Sequence, residues 1–183
     1  MVQAMYRIVI LFLIFQTGDY LFAQQAVKTR PSPAAIVQLK YKDTYIKITY
    51  SQPHKRGREV FGKLVPYSEV WRTGANEATE ITLTKDAFIN GTLLIAGTYS
   101  LFSIPTKEIW TIIINKETGL WGSYNYNSKL DVLRFEVPVT DTGAETYEAF
   151  TIQFDQRNNM ADLLLLWDKT KVAIPFQFIE PKL

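Results

Sequence analysis

Strict alternation of apolar and polar residues, repeated in short segments, constrains the fold of this chain more than any other feature. Ile46, Ile48 and Tyr50 alternate with Lys47 and Thr49, which is the pattern of a strand with one buried face. Similar segments recur along the chain, and none shows a helical period of any length. The pattern predicts about nine or ten short strands.

The residues between these segments favour antiparallel hairpins. Asn90-Gly91 is a strong two-residue turn signal because both positions tolerate a positive φ, and Lys42-Asp43 is a second short turn. Residues 161–167 are nearly all apolar, which predicts a strand covered on both faces. We therefore predict an all-β fold, a single antiparallel β-sandwich that is jelly-roll-like.

Residues 52–78 interrupt the strand pattern, because aromatic, charged and small residues follow one another there without a clear period. Tyr67 and Trp71 are spaced as on one face of a single helical turn. We expect one long irregular loop with a short helix over residues 68–72.

The N-terminal residues are typical of an export signal. Residues 8–15 are an unbroken apolar run, much shorter than the ~20 residues of a membrane span. We expect a secretory signal peptide over 1–23, a flexible lead-in over 24–34 and one β-sandwich domain over 35–180. An uncleaved anchor or a buried N-terminal segment is the alternative. The signal predicts an exported protein, periplasmic or secreted, with no stable membrane insertion after cleavage.

The composition excludes several classes of site. The net charge of +2 gives no reason to expect nucleic acid as a partner. The absence of cysteine removes thiolate metal sites and thiol catalysis, and the single histidine, His54, removes a two-histidine metal site. We predict no metal ligand, no cofactor and no catalytic residue, so a binding protein is favoured over an enzyme.

The densest positive cluster is residues 54–58, which with Lys63 and Arg72 would suit a carboxylate, sulfate or phosphate. The alternative is a solvated basic loop in which Arg58 or Arg72 pairs with a nearby glutamate.

Residues 61–79 are the main candidate for a site. Flat aromatic rings beside planar polar groups suit a sugar, which has apolar C–H faces and a rim of hydroxyls. The same residues would also serve as a plug at one end of the β domain, and the sequence leaves both roles open. The predicted ligand-binding residues are Arg58, Tyr67, Trp71, Arg72, Asn76 and Glu77.

Several strings in this region resemble an uncharacterised bacterial family catalogued as DUF2911. They include Leu64-Val-Pro-Tyr67, Val70-Trp-Arg-Thr-Gly-Ala-Asn-Glu-Ala-Thr79 and Ala96-Gly-Thr-Tyr-Ser-Leu-Phe102, and the resemblance covers roughly residues 32–176. It implies an exported protein of bacteria with two membranes. It implies no established activity, substrate or cofactor, and members usually carry a small polar residue where this chain has His54.

Three functions follow from these observations. The first is a module that binds a small ligand, a carbohydrate or an acidic saccharide, with help from the aromatic loop of Trp121, Tyr124 and Tyr126. The second is a structural or protein-interaction domain of the cell envelope. The third is a glycan-active hydrolase, in which Glu77 and Glu69 would have to face one cleft.

Overall fold

The computed structural model describes residues 29–180, and the β domain begins at Pro31. The predicted signal peptide and residues 24–28 of the lead-in lie outside the described residues. The strands are β1 (Ala34–Tyr41), β2 (Thr44–Ser51), β3 (Ala75–Leu83), β4 (Ala87–Ile89), β5 (Thr92–Leu94), β6 (Gly97–Pro105), β7 (Ile109–Asn115), β8 (Asp131–Asp141), β9 (Tyr147–Arg157), β10 (Met160–Asp168) and β11 (Thr170–Phe178). No helix between residues 29 and 180 has the length and apolar character that crossing a membrane requires.

The strands form one 11-stranded sheet in the order β1-β2-β3-β6-β7-β8-β11-β10-β9, with the β4–β5 hairpin attached to β11. Each of these pairings is antiparallel. The two ends of the order, β1 and β9, approach each other, so the sheet is barrel-like and nearly closed. The prediction of an all-β antiparallel domain is confirmed. The strands do not form the two clearly separate sheets that a sandwich or jelly roll would have.

The alternation read from the sequence corresponds to burial in the fold. Ile46, Ile48 and Tyr50 of β2 are buried in the main core, and Lys47 and Thr49 between them are only partly buried. In β10 the buried residues are consecutive (Leu163, Leu164, Leu165, Leu166 and Trp167), which confirms a strand covered on both faces.

Residues 52–74, the crossover segment, connect β2 to β3. The segment first runs beside β9, where Phe150 N–H donates to the Pro53 carbonyl over 2.8 Å. It later pairs with β6, where Trp71 N–H donates to the Ser103 carbonyl over 2.7 Å. The crossover segment therefore links two strands that are far apart in the sheet order.

The prediction of a short helix over residues 68–72 is wrong. Ser68 has a φ of +63°, in the left-handed region that a right-handed helix does not use. Ser68 N–H donates to the Pro105 carbonyl, and Trp71 forms a β-bridge with Ser103. The backbone groups that would have formed a helical turn bond to β6 instead.

Residues 116–130, the covering loop, pack over the outer face of β6 and β7. Phe102 and Ile113 are fully buried there beneath Leu120 and Tyr126. The covering loop is also tied to β3, because Ala78 N–H donates to the Leu120 carbonyl over 2.8 Å. These contacts bring the covering loop beside the crossover segment.

Candidate functional site

A cleft of about 350 Å³ opens where the crossover segment, the start of β3 and the covering loop meet. Its polar wall includes Arg58, Glu69, Arg72, Ser123 and Tyr124. Its apolar wall includes Leu64, Pro66, Val70 and Trp71. This volume is near the lower end of the roughly 300–1,000 Å³ that small-molecule sites occupy. The size and the mixed walls make the cleft the candidate functional site.

Arg72 has hydrogen-bonding capacity that the rest of the described chain does not use. Its side chain is half-buried, and its Nε is shielded from solvent without an acceptor among residues 29–180. Leaving a buried donor unsatisfied costs about 1–3 kcal/mol. A guanidinium is a planar fork that matches an anionic oxygen pair. Arg72 therefore brings to the cleft wall a positive charge and a donor that the described residues leave unused.

The backbone on either side of Arg72 is fixed in the core. Thr73 is fully buried with a φ of +51°, which is an unusual conformation for a β-branched residue. The Thr73 and Ser103 hydroxyls are 2.9 Å apart, and the Thr79 hydroxyl donates to the Thr73 carbonyl over 2.7 Å. Backbone strain of this kind persists only where the surroundings enforce it, and it clusters at functional sites.

Arg58 also lines the cleft, but much of its guanidinium is already bonded. Its Nε donates to the Lys55 carbonyl over 2.9 Å and its Nη2 to the His54 carbonyl over 2.7 Å. Lys55 in turn pairs with Asp168. Arg58 therefore contributes mainly its positive charge to the cleft, because two of its nitrogens already donate hydrogen bonds. The expected glutamate partners are not found, since neither Arg58 nor Arg72 forms an ion pair within residues 29–180.

Trp71 is a core residue that touches the cleft only at its edge. It is 8% exposed, its indole N–H donates to the Gly74 carbonyl over 2.9 Å, and its ring stacks on Trp167 at 6.0 Å. Phe61, Trp110 and Phe150 surround it edge-on. The face of Trp71 is therefore already occupied and is not open to a sugar ring.

The other predicted residues do not line the cleft. The Tyr67 ring lies against Gly62, where an added Cβ would be 2.8 Å from it. Asn76 donates from its side chain to the Ser32 carbonyl over 3.3 Å, and its own carbonyl accepts from Gly122 N–H. Asn76 therefore supports the cleft through Ser32, which lines it, and Tyr67 packs outside it.

Glu77 accepts a hydrogen bond from the Ser51 hydroxyl over 3.3 Å and does not line the cleft, although Glu69 does. A glycosidase needs two carboxylates that flank one bound sugar. Because Glu77 does not line the cleft, the pair of carboxylates that the hydrolase hypothesis required is not present there. Within residues 29–180, no group of three or more histidine or carboxylate side chains is placed to hold a metal ion.

Ser123 and Tyr124 both line the cleft. The sequence predicts a contribution to ligand binding from Tyr124 and its aromatic neighbours, but it does not predict one from Ser123. Tyr124 is 81% exposed. Gly122 brings this turn close to Arg72, since a Cβ there would lie 2.8 Å from the Tyr124 ring and 3.5 Å from Arg72 Nη1. The glycine between the aromatic residues of this loop was the sequence feature that could have indicated Ser123. No local pattern predicts that the loop packs against β3.

Tyr126 anchors the end of the covering loop through a polar network. Its hydroxyl donates to Asp131 Oδ2 over 2.6 Å, and Asn115 Nδ2 donates to Asp131 Oδ1 over 2.8 Å. Burial, and then the hydrogen bond to Asp131, raises the pKa of Tyr126 to about 12. The network holds the loop that carries Ser123 and Tyr124.

The raised pKa of Tyr126 predicts a loss of stability at alkaline pH. An unfolded tyrosine has a pKa of about 10, so the contribution of Tyr126 is full below pH 10 and disappears between about pH 10 and 12. Urea unfolding at pH 8 and pH 11 should show a smaller pH-dependent loss for Tyr126→Phe than for the wild type. Equal losses in the two proteins would contradict this assignment.

Comparison with known proteins gives one result. The family described as "Protein of unknown function (DUF2911)" matches residues 32–176, which include β1 to β10, most of β11 and both walls of the cleft. Searches of curated proteins and of solved structures found no match. The family resemblance seen in the sequence is confirmed, and the chain belongs to the DUF2911 family.

Proposed function

We propose that the protein is an exported binding module for a small ligand, a carbohydrate or an acidic saccharide, and that the cleft beside Arg72 is its binding site. Export, to the periplasm or beyond the cell, is inferred from the apolar N-terminal run.

The unsatisfied Nε of Arg72 is the observation that carries this proposal. A purely structural arginine would be expected to donate to a carbonyl or carboxylate of its own protein, as Arg58 does. The crossover segment instead holds Arg72 beside a strained turn and against the cleft. A ligand oxygen would supply the missing acceptor once a neighbouring group moves aside, since Nε is shielded in this structure.

The aromatic contribution comes from Tyr124, since Trp71 is occupied in the core. Tyr124 is exposed at the cleft, and the apolar side chains Leu64 and Val70 form part of the other wall. This arrangement suits a ligand with an apolar face and a polar rim. Neutral saccharides would use the hydroxyl and backbone groups of the cleft, and acidic ones would also use Arg72.

Replacement of Arg72 by alanine should abolish binding without destabilising the protein. Isothermal titration of the purified protein with a panel of neutral and acidic saccharides would identify the binders, which the variant should no longer bind. The melting temperature should stay unchanged or rise, because the variant removes a buried donor that lacks a partner.

Arg157→Ala is the matched control, because it removes the same charge from a β9 side chain that is 73% exposed and does not line the cleft. It should bind like the wild type. A wild-type protein that binds no saccharide, or an Arg72→Ala variant that binds normally and melts earlier, would refute the proposed function.

The alternative of a structural or interaction domain predicts an exposed apolar patch outside residues 61–79. Exposed apolar side chains do occur there, and they come from several elements, among them Ile36 on β1, Leu93 on β5 with Ile95 just after it, Ile109 on β7 and Met160 on β10. This distribution gives weaker support than the cleft does.

A further inference from the structure

We propose that the ligand carries a single carboxylate, as a hexuronate does, that Arg72 binds this carboxylate, and that Glu69 disfavours a doubly charged phosphate in its place. This inference rests on the proposed function of the cleft, and it narrows the ligand to one chemical class.

Arg72 is the arginine of the cleft whose planar guanidinium is not used by hydrogen bonds to the described residues. Arg58 has two of its donor nitrogens committed to backbone carbonyls, whereas the side chain of Arg72 donates no hydrogen bond to the described residues. One unused planar fork matches one planar anionic group, which it can bind through two parallel hydrogen bonds. A carboxylate is planar and fits this geometry.

The charged residues of the cleft favour a ligand with a single negative charge. The charged residues that line the cleft are Arg58, Arg72 and Glu69, so their formal charges sum to +1. A sugar phosphate carries about −1.5 to −2 at pH 7, and a sugar carboxylate carries −1. The second negative charge of a phosphate would meet Glu69 without a second unused fork to balance it.

The Tyr124 ring and the Arg72 guanidinium lie close to each other beside Gly122. A Cβ at Gly122 would be 2.8 Å from the Tyr124 ring and 3.5 Å from Arg72 Nη1. A pyranose whose carboxylate reaches Arg72 would therefore lie beside the Tyr124 ring. Because Nε is shielded, the carboxylate would bind through the Nη edge of the guanidinium unless a neighbouring group moves aside.

Three probes that share one ring test the inference: glucuronate, glucose and glucose 6-phosphate. Titration of the wild-type protein at pH 7 should show glucuronate binding about 10-fold or more tightly than either of the others. This ratio corresponds to one charge-assisted interaction with Arg72.

Two variants separate the roles of the charged residues. Arg72→Lys keeps the charge but loses the fork, so it should weaken glucuronate binding by about 10-fold. Glu69→Gln should improve the affinity for glucose 6-phosphate relative to glucuronate by about 2- to 5-fold, since exposed charges interact weakly. Glu136→Gln, on the exposed surface of β8, is the control and should leave the ratio unchanged.

The outcomes distinguish the two proposals. Binding of glucose as tightly as glucuronate would retain a saccharide site but overturn the carboxylate inference. Tighter binding of glucose 6-phosphate, or wild-type affinity in Arg72→Lys, would also overturn it. If neither these probes nor the wider saccharide panel bind the wild-type protein, the proposed function fails and the inference fails with it.

Discussion

Replacement of Trp71 by alanine is expected to lower the free energy of unfolding by about 3–5 kcal/mol, the range for removal of a large aromatic side chain from a core. Trp71 is in ring contact with Phe61, Trp110, Phe150 and Trp167 at centroid distances of 5.0–6.0 Å. The variant also removes the donor to the Gly74 carbonyl. Urea denaturation measures the effect directly.

Trp121 provides the matched control, because it is a tryptophan that is 56% exposed. Trp121→Ala should change the free energy of unfolding by no more than about 0.5 kcal/mol. If Trp71→Ala is too unstable to purify, Trp71→Phe should show a smaller loss, since it keeps an aromatic ring in the core. Equal effects of the two alanine variants would mean that Trp71 is not part of the core.

Most of the fold could be predicted from the sequence because strand alternation is a local signal. The burial of Ile46, Ile48 and Tyr50 follows from their spacing alone. The closure of the sheet could not be predicted in this way. It depends on which strands become neighbours, such as β8 with β11, and these pairings join segments that are distant in the chain.

The false helix at residues 68–72 shows where local reasoning fails. The spacing of Tyr67 and Trp71 suits a helical turn, but their side chains pack against different groups, Gly62 and the aromatic core. Backbone pairing with Ser103 of β6 determines the conformation instead. Tertiary pairing of this kind overrides a short local pattern because a single helical turn has little stability of its own.

The candidate site was predicted in part. Arg58 and Arg72 line the cleft, and Trp71 touches it from the core. Asn76 and Glu77 were chosen for their polar groups, but those groups bond to Ser32 and Ser51. A sequence shows which side chains can bind a ligand, but it does not show which of them the fold has already satisfied.

Gly74, in the turn after Arg72, has no room for a side chain, so its replacement by alanine should also reduce stability strongly. A Cβ there would lie 3.1 Å from both the Ser51 carbonyl oxygen and the Thr79 hydroxyl. The hydroxyl cannot retreat easily, because it donates to the Thr73 carbonyl. Gly74→Ala should therefore lower the free energy of unfolding by about 1–3 kcal/mol, slightly offset by the stiffer unfolded chain.

A double-mutant cycle tests whether this crowding is the cause. Thr79→Ala removes the crowded hydroxyl and one buried hydrogen bond, a loss of about 1 kcal/mol. Gly74→Ala with Thr79→Ala should lose at least about 0.5 kcal/mol less than the sum of the single variants, because the two groups are in contact. Gly74→Ala with Thr82→Ala, further along β3, should be additive within about 0.5 kcal/mol. Additivity in both cycles would mean that the Thr79 hydroxyl does not cause the intolerance at Gly74, and that the Ser51 backbone alone excludes a side chain there.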